Sequence, residues 1–147
     1  MVGTSEYALR LVPLVAGIVS VFVFYPLSRL SVQARAVPLA LVLFAVSDRL
    51  IYYSSEVKQY SVDVAVTVTL VFLALHWLSA GWTRRSSVLF GLIGAVAVWL
   101  SHPAVFVLAG IGVSFAAFRL RDRDWAGLAK LGVACLMWLL SFVASYW

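Results

Sequence analysis

The sequence predicts an all-α, polytopic transmembrane helix bundle of about six spans. Three observations carry that prediction. The 147 residues are 64% hydrophobic and 12% charged, with a mean hydropathy of +1.03. A soluble domain has roughly 45–50% apolar and about 25% charged residues, and a disordered chain is more polar still. Apolar runs of membrane-crossing length recur along the chain, at about 20 residues per span. Cations and aromatic residues gather at the ends of those runs, where a membrane–water boundary would hold them. That length leaves no room for a separate soluble domain, so residues 1–147 read as one transmembrane domain.

The six segments are residues 7–28, 36–53, 57–79, 86–101, 103–118 and 125–147. The first closes at Arg29. The second is interrupted by Asp48 and Arg49, which predicts a short helix over 36–46 that ends in a structured loop. The third has a polar start and then runs apolar to Leu78. The fourth follows Arg84 and Arg85 and stops at Ser101 and His102. Pro103 opens the fifth, at the helical position where a missing N–H costs little. Asp122, Arg123 and Asp124 precede the sixth. Asp124 suits the N-cap of a helix beginning at Trp125, and interleaved arginines argue against a metal-binding acid pair there.

Basic residues assign the sides. If the chain alternates, Arg29, Arg35, Arg84, Arg85, Arg119, Arg121, Arg123 and Lys130 share one surface, and Arg10, Arg49 and Lys58 share the other. The positive-inside rule gives the first group to the cytoplasm. The net charge of +5 is then a topology signal and not a nucleic-acid footprint. Glu6, Asp48, Glu56 and Asp63 fall in the outer half. Tyr7, Tyr52, Tyr53, Trp99, Tyr146 and Trp147 are placed near outer ends, and Tyr25, Trp77, Trp82 and Trp125 near inner ends, with Trp138 deep in a span. The N-terminus lies outside in this arrangement, and residues 1–10 form no signal peptide. That is the arrangement expected of a fragment lacking an upstream helix.

Residues 48–63 hold the densest set of functional groups. Glu56, Gln59, Tyr60 and Asp63 are spaced i, i+3, i+4 and i+7, so a helix starting near Glu56 places them on one stripe, continued by Thr67. Val57, Val62, Val64 and Val68 lie opposite. Asp63, about two turns into that helix, is expected to face a wet cavity or a partner, because an acid at mid-bilayer costs on the order of 2.5–3.5 kcal/mol. Lys58 and Arg10 supply positive charge at the depth of lipid phosphates. His102, at the outer break between the fourth and fifth spans, is placed to reach the same cavity. His76 and the lone Cys135 read as packing residues, and Gly91, Gly94, Gly110 and Gly112 as sites of close helix contact.

At these residues the chain resembles the GT-C superfamily of membrane glycosyltransferases, in the bacterial branch related to protein O-mannosyltransferases and lipid A aminoarabinose transferases. The resemblance rests on the run LIYYSSEVKQYSVD at 50–63, on EYALRLVP at 6–13 and on SHPAVF at 101–106. It implies a bacterial plasma-membrane enzyme with a GT-C-like core, which moves a sugar from a polyprenyl-phosphate carrier to an acceptor at the outer face. The carboxylate that acts as general base in that chemistry belongs to a first outer loop that has no counterpart here, so no catalytic residue is assigned and this chain alone is expected to be inactive. The carried-over binding residues are Glu56 and Asp63 for the acceptor or a divalent metal, Lys58 and Arg10 for the donor phosphate, and Tyr60 for the sugar. The competing reading is a non-catalytic multi-pass protein, either a transporter segment using Asp63 as an ion site or an assembly subunit. A transporter predicts broken helices at mid-membrane.

Overall fold

The computed structural model describes residues 6–56, 58–145 and 147, with side chains described from Leu9 onward. The described residues contain seven α-helices and no strand: α1 (Glu6–Ser31), α2 (Val37–Ala45), α3 (Asp48–Ser55), α4 (Tyr60–Ala80), α5 (Arg84–Leu100), α6 (Ala104–Arg121) and α7 (Trp125–Ser145). A single 3₁₀ turn, Ala34–Ala36, leads into α2. Four helices (α1 from Leu9, α4, α6 and α7) are long and apolar enough to cross a membrane, or five spans if α2 and α3 together make one. The chain divides into two compact units, Met1–Phe72 and Leu73–Trp147.

In the first unit, α1 carries Pro13 and Pro26 and packs on α2 and α3. Phe24 of α1 stacks on Phe44 of α2 at 4.1 Å between centroids, with the rings 8° from parallel. Gly17 lets α1 approach α3, since a Cβ there would lie 3.0 Å from Ser54 Cβ. The expected loop after residue 46 is instead a second helix. Ser47 is extended at the N-cap position and Asp48 lies in the first turn of α3, where a carboxylate suits the helix dipole. The helical segments Ala34–Ala45 and Asp48–Ser55 meet at a bend of 47°.

In the second unit, α5 and α7 pack most closely. A Cβ on Gly91 would collide with Met137 Sδ, and one on Gly94 with the Trp138 indole, so the expected close contacts exist at these two glycines. Gly112 has only ordinary contact with Cys135, and Gly110 faces open space. Trp138 Nε1 donates to the Phe90 carbonyl at 3.2 Å. Trp99 Nε1 donates to Ser141 Oγ at 3.0 Å, and Ser141 Oγ in turn donates to the Ala95 carbonyl at 2.7 Å. Phe90 is fully buried, edge-on to Trp77, Trp82 and Trp138.

Trp82, between the ends of α4 and α5, is 8% exposed and also packs edge-on against Phe115. Gly81, at φ +97°, makes the turn that folds Trp82 back onto the core. Trp99, Trp125 and Trp147 are exposed. Tyr146 and the Tyr7 side chain lie outside the described residues.

The α6–α7 turn is pinned at Asp124. Its Oδ1 accepts from the Gly127 N–H at 2.8 Å and its Oδ2 pairs with Arg119 at 2.5 Å, so the expected N-cap is present. The Gly127 bond first, and the Arg119 charge with it, hold the Asp124 carboxyl below its usual range.

Candidate functional site

The site forms where α3 ends and α4 begins. Ser54 Oγ and Ser55 Oγ fold back to the carbonyls of Ile51 and Tyr52, each at 2.7 Å, and Glu56 then turns extended at φ −89°, ψ 145°. Side chains that satisfy carbonyls at a helix end help to stop the helix there. The chain re-enters a helix only at Tyr60. The stripe expected from 56 to 63 is therefore corrected: Glu56 and Gln59 precede α4, and Tyr60, Asp63 and Thr67 alone share its face. Asp63 lies in the first turn of α4, not two turns in, so its negative charge meets the positive end of the helix dipole. Among the described residues its carboxylate makes no hydrogen bond or ion pair. Val68 is buried, Val62 and Val64 are half-buried, and Val57 lies outside the described residues.

Glu56 nonetheless organises its neighbours. Tyr52 Oη donates to Glu56 Oε1 at 2.6 Å, and Lys58 Nζ lies 3.0 Å from Oε2. The Lys58 N–H also donates to the Glu56 carbonyl at 2.8 Å, which fixes the turn. The Tyr52 bond first, and then Lys58, draw the Glu56 carboxyl below its usual range. The same carboxylate raises Lys58 above the usual lysine value, so its ammonium stays charged at neutral pH. Tyr53 bridges Tyr52 at 5.6 Å and Tyr60 at 4.7 Å between ring centroids. The Lys58 ammonium lies 6.0 Å from the Tyr60 centroid, at the outer limit of a cation–π contact.

Lys58 and Gln59 also form the lip of a hollow of about 230 Å³, whose walls are Leu9, Val12 and Pro13 of α1 and Val62 of α4. Cationic and amide groups over apolar walls suit an amphiphile with an anionic head. Arg10 is exposed on this stretch of α1 but does not line the hollow. His102 belongs to the second unit, in the exposed turn ahead of α6.

Among the described residues, no three of His, Cys, Asp and Glu converge on a common point. Both Glu56 oxygens are engaged by Tyr52 and Lys58.

The hollow is the feature that sequence reasoning missed, because it depends on how α1 meets the α3–α4 turn. No protein-family model, curated protein or solved structure matches the chain.

Proposed function

We propose that the chain is part of a GT-C-type membrane glycosyltransferase that moves a sugar from a polyprenyl-phosphate donor to an acceptor at the outer face of a bacterial plasma membrane. The observation that supports this most is the Lys58–Gln59 hollow with its apolar walls. A prenyl chain lies against Leu9, Val12, Pro13 and Val62, and the donor phosphate meets the Lys58 ammonium. During transfer the bond from the anomeric carbon to the phosphate oxygen breaks, and the leaving phosphate gains negative charge that Lys58 stabilises. Glu56 holds that ammonium in place and Tyr60 offers a ring face to the sugar. The acceptor oxygen forms the new bond and gives its proton to a base that this reading assigns to no residue of the chain.

The test uses the complete encoded protein in proteoliposomes supplied with a polyprenyl-phosphate sugar and a labelled acceptor. Lys58→Gln should reduce transfer about 100-fold, as loss of a charge-stabilising donor does. Glu56→Gln should reduce it less, since it releases Lys58 without removing it. Undiminished transfer in both variants overturns the site.

One observation favours the transporter-segment reading: the break between α2 and α3 is of the kind that discontinuous transport helices use. That reading gains the assignment if the proteoliposomes show ion-coupled uptake that Asp63→Asn abolishes.

A further inference from the structure

We propose that a second hollow, at the C-terminal end of α1, binds the phosphate of an anionic phospholipid in the leaflet opposite the one that Lys58 faces. This requires only that α1 cross the membrane, not that the chain transfer a sugar. The hollow measures about 340 Å³ and is lined by Tyr25, Arg29, Ala34, Val37 and Pro38. Ser28 Oγ donates to the Tyr25 carbonyl at 2.7 Å, and Pro26 in the same turn lacks an N–H. The Arg29 guanidinium lies 5.9 Å from the Tyr25 ring centroid, within cation–π range. Among the described residues no carboxylate pairs with it. Its fork of donors is therefore open to an anion, and a phosphate matches that fork in two-point geometry.

Depth identifies the anion's source. The Lys58 hollow meets α1 around residue 11 and this one around residue 27, so about 24 Å of helix separates them. That is close to the roughly 30 Å of a bilayer's hydrocarbon core. If one hollow sits at a headgroup layer, the other sits at the opposite one. Ala34, Val37 and Pro38 give an upper acyl chain an apolar wall, and a tyrosine ring is at home at that boundary. Basic pockets beside membrane helices hold anionic headgroups in this way.

Native mass spectrometry of the full chain, exchanged into phosphatidylglycerol or phosphatidylcholine, tests the site. Arg29→Gln should reduce retained phosphatidylglycerol about fivefold while leaving phosphatidylcholine unchanged. Arg35→Gln removes an exposed charge nearby that does not line the hollow, and should reduce retention less than twofold, the margin that sets a built site apart from general surface attraction. Equal losses in the two variants overturn the site. If Arg29→Gln alters the helical circular dichroism, Arg29→Lys replaces it: charge without the fork should still lose retention, and full retention overturns the site. Inorganic phosphate and glycerol phosphate serve as competitors. Displacement of the lipid by either at millimolar concentration overturns the lipid assignment in favour of a soluble phosphate.

Discussion

In the second unit, α5 and α7 meet over Gly91 and Gly94, and the space between helices is filled by Phe90, Trp82 and Trp138. In the first unit, α1 packs on α3 and α2, approaching Ser54 at Gly17 and stacking Phe24 on Phe44, and a cationic side chain lines each of two hollows along α1. The second unit also contains a cleft, of about 390 Å³, but Gly112, Cys135, Trp138 and their neighbours line it with apolar surface. The Arg119–Asp124 pair lies outside the packed helices, in the α6–α7 turn. In the first unit Lys58, paired with Glu56, and Arg29, with no carboxylate partner among the described residues, each line a hollow. The hollows lined by a cation lie in the first unit, and the apolar cleft lies in the second.

The largest expected effect that would break this comparison is at the glycines. Gly94→Ala should cost about 1–3 kcal/mol, because the new methyl meets the Trp138 ring, whereas Gly17→Ala should stay within about 1 kcal/mol. Reversible unfolding in mixed micelles measures both, and equal costs would show that the units are packed alike. Ser141→Ala should cost about 1 kcal/mol, from two interhelical hydrogen bonds at roughly 0.6 kcal/mol each in a membrane setting. The same unfolding curves would show it, with a matching change in Trp99 fluorescence.

The smallest effect is on pH dependence and separates the two polar turns. Glu56 and Asp124 both have lowered carboxyl values, so each contributes order above the unfolded carboxyl range and loses it as pH falls through the lowered value. Lys58 is raised, so its contribution is complete below the unfolded lysine value and is lost as pH rises through the higher folded one. Amide hydrogen exchange, corrected for its intrinsic pH dependence, should show the α3–α4 turn opening at both strongly acidic and strongly alkaline pH. The α6–α7 turn should open only in acid. An alkaline opening at Gly127 would sink this distinction.

Much of the fold was legible because apolar run length is a direct physical constraint on a membrane helix. The segment 7–28 became α1, 103–118 became α6, and Asp124 capped α7 as its position implied. The site was less legible. Helical periodicity assumes that a helix continues, and Ser54, Ser55 and Glu56 end one instead, through side-chain bonds that spacing does not reveal. That removed Glu56 and Gln59 from the stripe while leaving Glu56 next to Lys58 and Tyr52. Trp82 does lie at a helix end, between α4 and α5, but its burial against Phe90 and Phe115 was not legible from composition.

The bend between α2 and α3 also makes bilayer thickness a variable. The 3₁₀ turn with α2 and then α3 contain 12 and 8 residues, which meet at 47° and reach no more than about 30 Å end to end. That equals a typical hydrocarbon core with nothing to spare. Its neighbour α1, 26 residues long, reaches about 39 Å and has surplus to lose by tilting. If the bent segment crosses, a thicker membrane must pull its break straighter while α1 merely stands more upright. Hydrophobic mismatch would then act first on the segment that ends at Tyr52 and Glu56, so lipid chain length would tune the geometry of the polar turn from a distance.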